Sequence, residues 1–587
     1  MTDFRPILVK DSVIGDITSD IDFAVKSGAS QTTFQRFPAT SASNSSLIFS
    51  VQVPSENVVI GRDVLLTTGL SFTINATGVP ESSMAFQYGA TDAFQAFPLA
   101  SLMTTAQAQI NNTSVSINLQ DVLPSMLRLN NSRELYRYNS MTPSLPDQAY
   151  ARFADGVNTN NNALAGYGNA SYDIDQVPRG AFPVSILVKH YEAGVYTNDS
   201  LLSTGPTDTW AIEVSSVVSE PIFLSPFIFG DPEFNQQGLL GINNMTFTFN
   251  VDATCKRLWS SSTPYITSIA LGTAANPNGF TSTTAISVLQ QPSQPALLLK
   301  FLSTQPSDLI ETKNVVPYMD FPRYLTSSAN ATPIVGGSAG TLTSSNLQIN
   351  QIPDLFIINI RKPMQTQTWA DTNSFFVVNN ISINLNNQSG LLSSASAYDL
   401  WRMSVRNGST QSWAEFSGVQ VKYSNTGKGA VVNTTGSLVI INPAYDLSLP
   451  DYISCGSLGN YNFQFQVGVS NQISVAPAAI TPEICVVCVN SGIMVLQQGV
   501  AAIYTGILTK EMVLDAKSKQ QASSAKSAEV RRMVGGAMCN LAATNPLLRK
   551  MMGSRRGGVS SGGVSSGGVM SGGVPSGGMR TGAKRLC

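Results

Sequence analysis

The sequence predicts an all-β protein: two tandem jelly-roll β-sandwiches or barrels with short helices, then a helical and finally a Gly-rich, flexible C-terminal tail. Three observations lead there. Two-residue alternation of apolar and polar residues recurs along the chain, helical periods are scarce before residue 505, and one strand-like phrase occurs twice. The phrase reads INNTSVSINL at 110–119 and VNNISINL at 378–385, 266 residues apart when Ser116 is matched to Ser382.

Alternation is the signature of a half-buried strand, because successive side chains point to opposite faces. LIFSVQV (47–53) puts Leu47, Phe49, Val51 and Val53 on one face. MTFTFNV (245–251) alternates Met245, Phe247, Phe249 and Val251 with polar residues, and YNFQFQVGV (461–469) repeats the pattern with Tyr461, Phe463, Phe465, Val467 and Val469. Asn-, Gly-, Pro- and Ser-rich links separate such runs, as in an all-β protein.

Two short helical periods interrupt the pattern, DVLPSMLRL (121–129) and SAYDLWRMSV (396–405), and each follows one copy of the repeated phrase. Further on, TWAIEVSSVVSEPIFLSPFIFGD leads to NNMTFTFNV, and GSLVIINPAYDLSLPDYISCG leads to NYNFQFQVGV. The order strand, helix, strand, long loop, strand therefore appears twice. In the repeated phrase Val115, Ile117 and Leu119, like Ile381, Ile383 and Leu385, are expected on the inward face of equivalent strands. The first copy is longer by roughly 50 residues, which the turn-rich stretch 131–180 accommodates as an interaction-bearing loop.

These readings divide the chain into an N-terminal arm (1–44), a first roll (45–255), a second roll (256–505), a basic helical segment (506–552) and a Gly-rich tail (553–587). The junction is expected near VDATCKRLWSSSTP. The tail carries five pentads, GGVSS, GGVSS, GGVMS, GGVPS and GGMRT (557–581), and 12 glycines in its 35 residues. Such a segment cannot offset its ordering entropy.

A chain of 587 residues is too long for one ordinary core. Charged residues make up 12%, against roughly 25% in soluble domains. With 43% hydrophobic residues the cores are well supplied, and neutral polar side chains cover the rest. The net charge of −1 conceals an uneven split: residues 510–587 hold 13 Lys and Arg against 3 Asp and Glu, leaving 22 against 33 before them. A basic tail on an acidic body suits an anionic partner, nucleic acid first, with Arg531, Arg532, Arg549, Lys550, Arg555 and Arg556 as contacts. The beginning, MTDFRPILVKDSVIGD, lacks the pattern of a signal peptide. The apolar stretch 484–508 is broken by Asn490, Ser491, Gln497 and Gln498 and reads as buried strands, not a membrane span. Six cysteines do not make a disulfide scaffold, so synthesis at an intracellular, reducing site is expected.

Catalytic constellations are missing from the sequence. His190, the one histidine, sits in strand context, where a structural role is expected. GGSAG (336–340) matches the nucleophile-elbow pattern, but TLTSSNLQIN follows it instead of a helix, and no histidine lies downstream. Cys485 and Cys488 form a C-x-x-C without a second pair, and a three-residue offset in a strand sends them to opposite faces, as buried thiols. Trp259, Trp369 and Trp401 read as core or interface anchors. No enzyme activity, cofactor or metal site is expected.

Three segments resemble the double jelly-roll major capsid proteins of icosahedral DNA viruses, the lineage of adenovirus hexon and the polinton, adintovirus and virophage coats. VPSENVVIGRDVLLTTGLSFTI (53–74) resembles the opening strands of the first roll. NNISINLNNQSGLLSSASAYDLWRMSVRNG (379–408) and INPAYDLSLPDYISCGSLGNYNFQFQVGVSN (441–471) resemble passages of the second. The resemblance implies a structural protein of the virion capsid, whose homotrimers have a pseudo-hexagonal outline and tile an icosahedral shell around a DNA genome. It further implies lattice contacts with penton and minor capsid proteins, helices beside the rolls near the capsid floor or trimer contacts, and a maturation protease that cuts after Gly-Gly. MVGG–A would place a cut between Gly536 and Ala537, and MSGG–V another between Gly573 and Val574. The main alternative is a secreted or surface β-sandwich protein that binds glycans in adhesion. An enzyme of β-helix or β-sandwich type is the third reading.

Overall fold

The computed structural model describes most of residues 31–509. Residues 1–30 and 510–587 lie outside the described residues, as do internal stretches of which 78–91, 130–183, 198–208 and 281–293 are the longest. The expected loop at 131–180, the helical segment beyond 509 and the Gly-rich tail fall there.

The first roll is built from β1 (Gln31–Pro38), β2 (Ser46–Gln52), β3 (Leu65–Thr77), helix α1 (Pro98–Leu102), β4 (Met103–Ile110), β5 (Thr113–Ile117) and helix α2 (Leu119–Met126). It continues with β6 (Val184–Glu192), β7 (Thr209–Pro221), β8 (Asn244–Val251), β9 (Ile266–Leu271) and β10 (Ala296–Ser303). Its inner sheet runs β2-β8-β4-β5 and its outer sheet β1-β10-β3-β7-β6, with β9 also on β3. Alternation in MTFTFNV turns Met245, Phe247, Phe249 and Val251 inward, and Phe247 lies opposite Phe49 of β2. Phe72, Phe94 and Trp259 close the core edge to face, with Phe94 and Trp259 centroids 5.1 Å apart.

The second roll contains β11 (Lys313–Asp320), β12 (Arg323–Ser327), β13 (Ala339–Thr343), β14 (Leu347–Gln351), β15 (Leu355–Arg361), β16 (Val377–Leu385) and β17 (Gln388–Leu391). Helices α3 (Ala397–Arg406) and α4 (Trp413–Phe416) follow, then β18 (Leu438–Ile441), helix α5 (Pro443–Asp446), β19 (Ser457–Ser470), β20 (Glu483–Gln497) and β21 (Val500–Thr505). Its inner sheet runs β13-β19-β16-β17 and its outer sheet β11-β20-β15-β18. Phe356 packs against Phe463 and Phe465 at 4.8 and 5.4 Å between centroids.

The two sheet orders superimpose strand for strand. β1-β10-β3-β7 corresponds to β11-β20-β15-β18, and β2-β8-β4-β5 to β13-β19-β16-β17, with α2 and α3 at matching places in the chain. The fold is a duplicated jelly roll.

The register of the duplication differs from the one suggested by the repeated phrase. INNTSVSINL spans the end of β4, a turn, all of β5 and the start of α2, whereas VNNISINL lies within β16. The structural counterpart of the Ile110-Asn111-Asn112 turn is Leu385-Asn386-Asn387, nine residues further on. Asn111 and Asn386 both adopt left-handed φ, 51° and 49°. Asn111 donates its backbone N–H to Asn244 O (3.0 Å) and accepts from Asn243 N at Oδ1 (2.9 Å). Asn386 makes the same pair of bonds, both to Asn462, at 2.9 and 3.0 Å. Asparagine tolerates this conformation better than other residues with a Cβ. Val115, Ile117, Ile381, Ile383 and Leu385 are nonetheless buried, as expected; Leu119 is buried too, but as the first residue of α2.

The boundary at 255/256 is also corrected. β9 and β10 pair with β3 of the first roll, and β1, expected in the N-terminal arm, pairs with β10 along its whole length. The first roll therefore extends from β1 to Ser303. Two strands after the expected junction were needed to complete its outer sheet, and local sequence does not reveal to which sheet a strand returns.

Candidate functional site: the seam between the rolls

In a duplicated fold the informative surfaces are those where the folded units meet. The outer sheet of the second roll is buried on both faces. Phe356, Ile358, Ile360, Val486 and Cys488 point into the second core, while Leu355, Ile357, Leu438, Ile440, Cys485, Val487 and Val489 join the core of the first roll. This explains why β15, β18 and most of β20 read as unbroken apolar runs instead of alternating ones.

Helix α2 lies across that outward face. Asp121 and Ser125, four residues apart, share one side of the helix, and Arg128 follows in the turn just past its end. Each bonds to the second roll. Asp121 pairs with Arg361 and with Arg323 through its two oxygens. Arg361 also pairs with Glu483 at 2.8 Å, and Asn359 Nδ2 donates to Ser125 Oγ at 3.0 Å. Arg128 donates to Asn373 O at 3.3 Å, stands over the Phe375 ring, and its carbonyl accepts from Thr410 N at 2.9 Å. Asp121 sits in the first turn of α2, where the exposed amides of the helix end favour a carboxylate.

The charges on this seam are held by each other. Burial alone would lower the Arg361 guanidinium, but Cys485, Asp121 and Glu483 outweigh it and raise it above its ordinary value. Arg257, also buried, is lowered to about 9 by burial and by the like charge of Arg361, which leaves it cationic at neutral pH. At the far end of the seam the hairpin joining β20 to β21 reaches the first roll. Gly499 N donates to Gly241 O at 3.0 Å, Ala501 N to Asn112 Oδ1 at 2.7 Å, and Thr113 Oγ1 to Ala501 O at 2.5 Å. Gly499 has φ of 80°, a left-handed conformation that favours glycine.

The outer sheet of the first roll is different. Its outward residues are polar: Thr67 bonds Ser219, Ser71 bonds Ser215, Asn75 bonds Ser268, and Lys189 pairs with Glu213 at 2.7 Å. A second surface stands out on the second roll. Tyr398 and Trp401 of α3 and Trp413 of α4 form a three-ring cluster with centroids 5.3 to 5.8 Å apart. Tyr398, Val405, Trp413 and Tyr445 are exposed, at 49%, 38%, 38% and 63%. Arg406 stacks over Tyr445 and pairs with Asp446.

The sequence-predicted cleavage residues Gly536, Ala537, Gly573 and Val574 and the basic residues Arg531, Arg532, Arg549, Lys550, Arg555 and Arg556 lie outside the described residues. His190 lies on β6, opposite Trp210. GGSAG leads into strand β13 and not a helix. Cys485 and Cys488 face the two different cores, with burial pushing the Cys485 thiol up to about 11 and Cys488 higher still. Trp259 is buried in the first core, Trp369 packs against it, and Trp401 donates to Gln411 O at 3.0 Å. Among the described residues no helix is long and apolar enough to cross a membrane. The seam residues Asp121, Arg361 and Glu483 were missed in the sequence. Their signal was charge placed inside or at the edge of apolar runs, as in LFIINIRK and EICVVCV.

Comparison with known proteins agrees with this architecture. Residues 2–302 match the family model described as the Sputnik virophage major capsid protein first domain, and residues 321–492 match the major capsid protein V20 C-terminal domain. The putative capsid protein V20 of Sputnik virophage is 27% identical over 533 residues, covering 89% of this chain and 82% of that protein. The chain in the cryo-EM structure of the Sputnik virophage is 26% identical with a TM-score of 0.68, over 87% of this chain and 95% of that one. The mavirus major capsid protein shares the fold at 12% identity and a TM-score of 0.60, over 87% and 98%. The first family model ends within β10, where the sheet topology ends the first roll. With its duplicated roll and a family match across more than half its length, the chain belongs to the virophage major capsid protein family.

Proposed function

We propose that this chain forms a homotrimer of pseudo-hexagonal outline, and that such trimers tile an icosahedral shell around a DNA genome. The observation that supports this reading is the strand-for-strand equivalence of the two outer sheets and the two inner sheets. Three chains with two equivalent rolls each present six similar units, so a three-fold particle fits a six-fold lattice position. The role is structural, without catalysis. The basic segment with Arg531, Arg532, Arg549, Lys550, Arg555 and Arg556 contacts the genome, and penton and minor capsid proteins complete the shell. Cutting after Gly536 or Gly573 trims the tail during maturation.

Negative-stain microscopy of the purified full-length protein tests the trimer: hexagonal outlines with three-fold symmetry, or closed shells, are expected. Particles of monomer size at every concentration would refute it. Intact mass of the coat protein from mature particles tests trimming, and a full-length mass throughout excludes it.

A further inference from the structure

We propose that Met364 is an oxidation site whose sulfoxide tightens the seam between the two rolls, by giving the buried guanidinium of Arg257 a strong acceptor.

Just past β15 the chain makes a single 3-10 turn, Met364–Thr366, against the 252–261 segment of the first roll. Bonds in both directions join the two pieces. Lys256 Nζ donates to Gln365 O at 2.9 Å, Trp369 Nε1 to Thr254 O at 3.3 Å, and Ser261 N to Trp369 O at 2.9 Å. Arg257 Nη2 donates to the thioether sulfur of Met364 at 3.0 Å. The other guanidinium nitrogens, Nε and Nη1, are buried and have no hydrogen-bond partner among the described residues.

A thioether sulfur is a weak acceptor, and a cation sealed from water needs strong ones. The neighbouring carboxylates are engaged elsewhere. Asp121, Asp371 and Glu483 act on Arg257 through their charge, while Asp121 bonds to Arg323 and Arg361, Glu483 to Arg361, and Asp371 to Lys362. Met364 is thus the one hydrogen-bonding partner that Arg257 has among the described residues, and chemistry at its sulfur changes the bond directly.

Met364 is half-buried, whereas Met245, Met319 and Met494 lie in the core, so a peroxide in solution reaches its sulfur first. A sulfur lone pair attacks one oxygen of hydrogen peroxide, and the S–O bond forms as the O–O bond breaks. The proton on the transferred oxygen passes to the departing one, which leaves as water. The thioether loses two electrons and the peroxide gains them. The unbranched side chain has three rotatable bonds with which to aim the new oxygen at the guanidinium. In an apolar core a sulfoxide disrupts packing, but beside an under-bonded cation it adds a charge-assisted hydrogen bond. That bond runs from one roll to the other, so oxidation strengthens their junction.

Hydrogen exchange on the full-length protein tests this, read in the peptides covering 252–261 and 362–371 before and after treatment with hydrogen peroxide. Mass spectrometry follows the sulfoxide on Met364. Exchange slower by roughly tenfold is expected after treatment, the gain of one hydrogen bond to a charged group. Untreated Met364→Gln, whose amide oxygen takes the place of the sulfoxide oxygen, is expected to show the same slowing. Treated Met364→Leu controls for the other methionines and is expected to show none. Unchanged or faster exchange in the treated protein, equal slowing in treated Met364→Leu, or a Met364 that stays unoxidised in the folded chain each overturns the proposal.

Discussion

Asn111 and Asn386 occupy the same left-handed turn in the two rolls, and each clasps the facing strand through its own amide and its side-chain oxygen. The pair fixes where one copy of the duplication maps onto the other. Replacing Asn386 by glycine keeps the conformation and removes one hydrogen bond, a loss of about 1 kcal/mol. Replacement by alanine adds the cost of a Cβ in left-handed backbone, roughly 1–2 kcal/mol more. Thermal or denaturant midpoints are expected in the order asparagine, glycine, alanine, and likewise at Asn111. Alanine equal to the original residue would contradict the assignment.

Arg361 holds two buried carboxylates, so its loss is expected to be severe. Arg361→Met strands Glu483 and leaves Asp121 with Arg323 alone, at about 3–5 kcal/mol. Adding Glu483→Gln is expected to recover most of that loss, because the uncompensated charge disappears with the pair. A double-mutant cycle on unfolding free energy measures the coupling. Near-additive effects would show that the seam does not act as one network.

Stability should depend on pH through Glu220. Burial pushes its carboxyl up to about 8 from an ordinary value of 4.5, against the Leu99 and Ala100 amides that donate to it at 2.9 and 2.8 Å. Between those values the folded chain holds a proton that the unfolded chain has released. The contribution is therefore fully present below pH 4.5, declines as pH rises, and is lost above about 8. The decline is roughly 1.4 kcal/mol per pH unit at most. Glu220→Gln is neutral at every pH and is expected to flatten the profile, gaining on the unsubstituted protein toward pH 9. Parallel profiles from calorimetry would refute this assignment.

The C-x-x-C of β20 should behave as two inert thiols. With Cys485 pushed up to about 11 and Cys488 further, neither forms thiolate at pH 8. A maleimide is expected to leave peptide 483–497 unmodified until denaturant is added, and zinc is expected to leave the thermal midpoint unchanged. Labelling of that peptide in the folded protein would contradict it.

Much of the architecture was legible in local sequence. Phe247, Phe249, Phe463 and Phe465 declared their faces by alternation, and α2 and α3 by short periods between strands. The register of the repeat was not legible. Asn and Ser are so frequent that the ISINL of β16 imitates the VSINL that runs from β5 into α2, while the structural match is a turn with left-handed φ at Asn111 and Asn386. The junction was misplaced for a related reason: β10 closes the first outer sheet after a long excursion, and pairing across such distances leaves no local trace. The seam charges were hidden because their partners lie far along the chain, as Asp121 and Arg361 do.

β20 stands second in its sheet, pairs with both β11 and β15, and sends alternate side chains into different cores. It is also nearly the last strand in chain order. As the protein emerges from the ribosome, the first roll is complete to Ser303 long before Val487 and Val489 exist to cover its flank. The shared wall therefore acts as a timer. A shortened chain lacks the strand that joins the two rolls, so an unfinished molecule cannot hold its rolls as a pair.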